Sequence, residues 1–186
     1  MATEILKKTG TQIIFADHAA DFSGGTAKTS LEVAGTDVQM DIASVAAAAG
    51  WESAKFDFGA TRAAAYSCMA AIETGAAPTA GQTYDLYLAP SPISTAANGN
   101  PGQIDGTSQA APSGTTSTGE LILQCVFIGS LVVAGDANSV QVGVVGTFAP
   151  PERYGILIFI NSTDQTTETN ANEHHVVFNP IVDESQ

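Results

Sequence analysis

The chain has 186 residues, a length that suits one domain with a terminal extension and argues against a two-domain enzyme. Nineteen Asp and Glu against six Lys and Arg give a net charge of −13 and a pI near 4.2, so the surface repels phosphates, and neither nucleic acid nor an anionic membrane is expected as a partner. Although 44% of residues are hydrophobic, 30 of them are Ala, and the charged fraction of 13% leaves the surface to be finished mainly with Thr, Ser, Gly, Asn and Ala.

Residues 1–35 are polar and carry Gly10, Gly24 and Gly25, with Ile13-Ile14-Phe15 as the one apolar anchor. They read as an N-terminal arm or edge strand, and residues 36–186 as a β-sandwich domain. No secretory signal is expected, because Lys7 and Lys8 are followed by Thr-Gly-Thr and only that short apolar run. Asp37-Val-Gln-Met-Asp-Ile42 alternates apolar and polar residues and predicts a half-buried strand. Glu52 to Phe58, bounded by Gly50 and Gly59, predicts another. Arg62 to Thr74 has the Ala content of a helix but the alternation of a strand; the turn sequence Gly75 to Gly81 and the strand-like Tyr84 to Leu88 decide for a hairpin. Residues 89–119 hold four prolines and five glycines and predict a long loop, low in charge and ordered by a neighbour. Beyond it Leu121–Val133, Val140–Phe148, Tyr154–Ile160 and His174–Val182 predict four strands. No amphipathic helix is expected. Some eight strands with even turn spacing point to an all-β, two-sheet β-sandwich, most naturally a jelly-roll.

Residue patterns that carry chemistry are sparse. Adjacent His174 and His175 would point to opposite faces of a strand, one of them exposed, and so could not share an ion; His18 stands apart. The acidic spacing of a calcium loop is missing; Asp136-Ala-Asn138 could contribute to a calcium site only with distant partners, and an ordinary turn is the favoured reading. There is no Gly-x-Ser-x-Gly, and Lys28 after Gly24-Gly25 lacks phosphate-loop spacing. Asp85 and Glu120 could be named as a carboxylate pair, as could acidic side chains in any such protein. Trp51, Tyr84 and Tyr87 are the aromatics available to a sugar site, but Tyr84 and Tyr87, three apart in a strand, face opposite ways. Cys68 and Cys125 are expected as reduced thiols facing the interior on neighbouring strands. The expectation is therefore no enzyme, with no catalytic, cofactor-binding or metal-binding residues and no cofactor.

A set of segments carries a resemblance. Phe58-Gly-Ala-Thr-Arg-Ala-Ala-Ala-Tyr66, Asp85-Leu-Tyr-Leu-Ala-Pro-Ser-Pro92, Asn98-Gly-Asn-Pro-Gly102, Phe127-Ile-Gly-Ser130, Val140-Gln-Val-Gly143, Glu152-Arg-Tyr-Gly155 and His175-Val-Val-Phe-Asn-Pro-Ile-Val-Asp-Glu184 resemble tailed-bacteriophage virion proteins of the capsid decoration or cement type. The resemblance covers most of residues 37–186 and leaves out the arm. It implies a structural protein made in the host cytoplasm and seated on the capsid surface, with the major capsid protein and copies of itself for partners; monomer and trimer both stay open for the protein in solution. The rival readings are a tail, neck or fibre-associated subunit and a carbohydrate-binding module that recognises glycan for host attachment. On the leading reading the arm and the 89–119 loop supply much of the attachment, and removing the arm leaves the sandwich folded.

Overall fold

The computed structural model describes residues 5–9, 11–17, 31, 35–136, 139–170 and 174–185. Among the described residues, twelve strands form two six-stranded sheets packed face to face, the all-β sandwich that the alternation predicts. The strands are β1 (Ile5–Thr9), β2 (Gln12–Ala16), β3 (Gly35–Gln39), β4 (Gly50–Glu52), β5 (Phe56–Asp57), β6 (Ala65–Glu73), β7 (Thr83–Ser91), β8 (Gln109–Ala111), β9 (Val126–Val132), β10 (Val140–Phe148), β11 (Tyr154–Ser162) and β12 (His175–Ser185). The first sheet runs β10-β6-β12-β2-β3, with β1 also on β12; the second runs β8-β4-β11-β7-β9, with β5 also on β11. All pairs are antiparallel except β2 with β3. That parallel pair is not part of the expected jelly-roll wiring.

The core between the sheets follows from alternation. Tyr66, Cys68, Ala70 and Ile72 point inward from β6, Tyr84, Leu86 and Leu88 from β7, and Leu157 and Phe159 from β11. One end is closed by aromatic rings: Phe178 lies 4.7 Å from Phe15 and 4.8 Å from Phe148 between ring centroids, and Phe56 lies 4.9 Å from Phe15, with edge-to-face tilts that suit the ring quadrupoles.

Several expectations are corrected. The Ile13-Ile14-Phe15 anchor is not on an arm: it is β2, buried along its whole length between β12 and β3, because the three apolar residues fill both faces of an internal strand. Residues 18–30 of the expected arm lie outside the described residues. The Glu52–Phe58 strand is two strands, both on β11, separated where the Ser53 hydroxyl accepts the Leu157 N–H at 2.9 Å. The β6–β7 hairpin does not form, since β6 pairs with β10 and β12 in one sheet and β7 with β11 and β9 in the other. The turn between them carries the chain from one sheet to the other. The segment expected as a strand from Leu121 begins instead with a short helix, α1 (Thr118–Ile122), capped by Ser117. Its Glu120 N–H donates to Ser117 Oγ at 3.3 Å while the Ser117 N–H donates to Glu120 Oε2 at 2.9 Å, a reciprocal capping box.

The 89–119 loop is also no element waiting for a partner. It folds back over the outer face of the second sheet, where Ile104 and Leu121 pack on Ala89, Ile156, Ile158 and Ile160 to make a second, smaller apolar layer. The loop thus has its own ordering surface within the domain, and β11 is covered on both faces, as its run Gly155–Asn161 of buried residues requires.

Candidate functional site

Two features stand out once the fold is assembled: an uncharged apolar side at β9 and β10, and a polar clasp beneath the loop layer. The two strands close one side of the sandwich, each the outer strand of its sheet. Their backbones touch, so that a Cβ on Gly129 would collide with the Val145 carbonyl and one on Gly146 with the Ile128 carbonyl. Glycine at both positions permits this approach, and the ladders kink beside them, between Leu86 and Tyr87 and between Val144 and Gly146. With Leu131 and Ile128 turned inward, the alternate residues must turn outward: Phe127, Val132, Val142 and Val144, together with Leu123 after α1, are 48% to 86% exposed. Phe127 is supported by Tyr87, ring centroids 5.1 Å apart. Neither strand has a charged residue, whereas edge strands are commonly blunted with charge. Such a side can bury against another protein.

The loop layer is held down by two charged side chains. Lys55 donates from Nζ to Ser91 Oγ at 3.0 Å and to the carbonyls of Ile93 at 3.0 Å, Thr95 at 2.7 Å and Asn98 at 2.7 Å. One ammonium thereby gathers three carbonyls of the 91–98 bend, which also accept from the Ser91 hydroxyl or the Asn98 N–H, and partial burial lowers its pKa from the ordinary lysine value. Glu52 is fully buried on β4; its Oε1 accepts from Ser113 Oγ at 2.5 Å and from Gln109 Nε2 at 3.3 Å. Burial raises the Glu52 carboxyl above its ordinary range, the hydrogen bonds from Ser113 and Gln109 counteract this, and the charge of Asp105 adds to it. Nothing in the alternation marked Glu52, an acidic residue in a predicted strand, as the buried one.

The residues considered for chemistry are dispersed. His174 and His175 are both buried, so the exposed imidazole expected at this strand end is absent. His174 accepts the Glu73 N–H at Nδ1 (3.3 Å) and therefore donates from Nε2 to the Glu168 carbonyl (2.9 Å), a neutral imidazole whose pKa burial lowers. Asp136 is exposed, while His18, Lys28 and Asn138 lie outside the described residues. Asp85 accepts from Ser130 Oγ at 2.5 Å and Ser162 Oγ at 2.6 Å, and Glu120 is the helix cap, so the two carboxylates nominated as a pair serve separate local roles. Trp51 packs partly buried against the core and its indole N–H donates to Ser108 Oγ at 3.1 Å. Tyr84 is in the core and Tyr87 on the outer face of the same strand, as their spacing predicts. Cys68 is buried in the main core, but Cys125 follows α1 and packs against the outer layer, so the two thiols are free and on different sides of the second sheet instead of on neighbouring strands. Among the described residues, no group of three or more His, Cys, Asp or Glu could hold a metal ion, and no helix is long and apolar enough to cross a membrane. Comparison of the chain with protein-family models, curated proteins and solved structures returns no match.

Proposed function

We propose that the protein is a structural subunit of a tailed-bacteriophage virion, a capsid decoration or cement protein that sits on the outside of the major capsid protein shell and stabilises it. The reading takes the sandwich as jelly-roll in type, an architecture shared with viral capsid domains. The observation that carries it is the uncharged side at β9 and β10, where Phe127, Val132, Val142 and Val144 stand in water on a chain of net charge −13. Two of the segments that resemble decoration proteins, Phe127–Ser130 and Val140–Gly143, lie in these strands. Apolar side chains with a polar surround are the usual make-up of a protein contact, and attachment repeated over a shell needs only modest affinity per subunit.

The test is co-sedimentation of the purified protein with phage particles that lack it. The wild-type protein is expected to pellet with the particles, and the double variant Phe127→Asp, Val144→Asp to bind at least tenfold more weakly, since losing the burial of even one such side chain costs roughly 1.5 to 3 kcal/mol. Both positions are exposed, so the variant is expected to melt like the wild type. A wild-type protein that stays in the supernatant, or a variant that decorates equally well, overturns the reading. A tail, neck or fibre position is the alternative, and binding confined to tails would favour it.

A further inference from the structure

The clasp beneath the loop layer has an imbalance of charge and hydrogen bonding. Glu52 is fully buried, and while Oε1 is satisfied by Ser113 and Gln109, Oε2 has no hydrogen-bond partner. A buried carboxylate oxygen without a donor is costly and rare. Around it the donors are too few. The amide nitrogen of Gln109, with two protons to give, stands 3.3 Å from Glu52 Oε1, 3.2 Å from Asp105 Oδ2 and 2.9 Å from Thr107 Oγ1. Ser113 Oγ donates to Glu52 and accepts the Asp105 N–H at 2.8 Å, which holds the two acidic residues on the same side of the loop. The cationic side chains nearest in sequence to the clasp's strands are engaged elsewhere: Lys55 with the 91–98 bend and Arg153 with Asp57, with Nη2 2.7 Å from Oδ2.

We propose that Glu52, Asp105, Thr107 and Gln109 form a binding site for calcium, with the Gln109 amide group standing in the cation's place and turning to offer Oε1 when the ion binds. All four supply hard oxygen atoms, and calcium accepts irregular shells in which carboxylates are joined by neutral oxygens and water. Magnesium's strict octahedron and zinc's preference for nitrogen and sulfur fit this set less well. Two carboxylates place the affinity at the weak end of calcium sites, with Kd on the order of 10⁻⁴ to 10⁻³ M. The ion would tie β4 to β8 and to the 105–107 bend, fixing the loop layer on the sheet.

The chain contains its own reporter. Trp51 is the single tryptophan and hydrogen-bonds to Ser108, between Thr107 and Gln109, so it can sensitise terbium bound in the calcium position. The experiment titrates terbium into the full-length protein with excitation of Trp51, then competes it with calcium, and measures melting temperature with calcium or magnesium. Glu52→Gln and Asp105→Asn are run in parallel, the second at an exposed residue whose replacement leaves the fold intact. The expected result is saturable terbium emission displaced by calcium, a higher melting temperature in calcium than in magnesium, and roughly tenfold or greater loss of affinity in each variant, the scale on which a single change at a metal site acts. Three results overturn the proposal: no sensitised emission, emission equal in wild type and Asp105→Asn, or equal stabilisation by calcium and magnesium that both variants retain, which would be screening of the net charge.

Discussion

Replacing Phe15 by Ala tests whether the N-terminal segment is part of the core. Phe15 is 1% exposed on β2, its ring 4.7 Å from Phe178 and 4.9 Å from Phe56, so the substitution leaves a cavity at the aromatic end of the sandwich. Phe to Ala in such a position costs about 3 to 5 kcal/mol, against a total stability on the order of 5 to 15 kcal/mol. For a chain of this size each kcal/mol moves Tm by roughly 2 to 4 °C, so a fall of about 6 to 20 °C is expected in thermal melts followed by far-UV circular dichroism. Truncation after Ala16 goes further. It removes Ile13, Ile14 and Phe15, each contributing about 1.5 to 3 kcal/mol by burial, and it detaches β3 from the rest of its sheet. The truncated protein is expected to be largely unfolded at room temperature, the opposite of what an arm would give. A Phe15→Ala protein destabilised by less than about 1 kcal/mol, or a truncated one with unchanged melting, would refute the placement of β2 inside the sheet.

Further outcomes follow from particular contacts. Gly146→Ala pushes a methyl group into the Ile128 carbonyl and is expected to cost about 1 to 3 kcal/mol in urea denaturation by separating β9 from β10; a neutral substitution would contradict the contact. Ile104→Ala is expected to cost about 2 to 5 kcal/mol and to speed amide exchange in residues 100–125 before the rest, whereas a loop without its own apolar layer would show neither effect. Burial lowers the His174 pKa from its ordinary value of 6.5, so its neutral form contributes stability that is complete above that value and is lost as pH falls through the lowered midpoint; an NMR titration midpoint at or above 6.5 would contradict this. Burial raises both thiols, Cys125 to about 12, so neither is expected to react with iodoacetamide at pH 8 without denaturant at the rate of a peptide thiol.

The sandwich was legible because strands with one buried face announce themselves by alternation, as β6 and β7 do. What stayed hidden is non-local. Ile13-Ile14-Phe15 is too short to separate an edge from an interior strand, and only its two neighbours, β12 and β3, tell which it is. The β6–β7 connection has the composition of a hairpin turn, yet the partners of each strand come from far along the chain. The α1 helix did leave a local mark, the Ser117-Thr-Gly-Glu120 capping box, but Val, Ile and Phe downstream drew the whole stretch into a strand. Glu52 could not be singled out, because its burial is imposed by a loop that returns over it some 50 to 60 residues later, through Gln109 and Ser113.

The proposed attachment to a phage particle is open to a direct check by quantitative mass spectrometry of purified virions. The protein is expected at a copy number approaching that of the major capsid protein, cross-linked to it through residues near β9 and β10. Absence from particles that are otherwise complete would contradict it, and a few copies per particle, cross-linked to tail proteins, would contradict the capsid position.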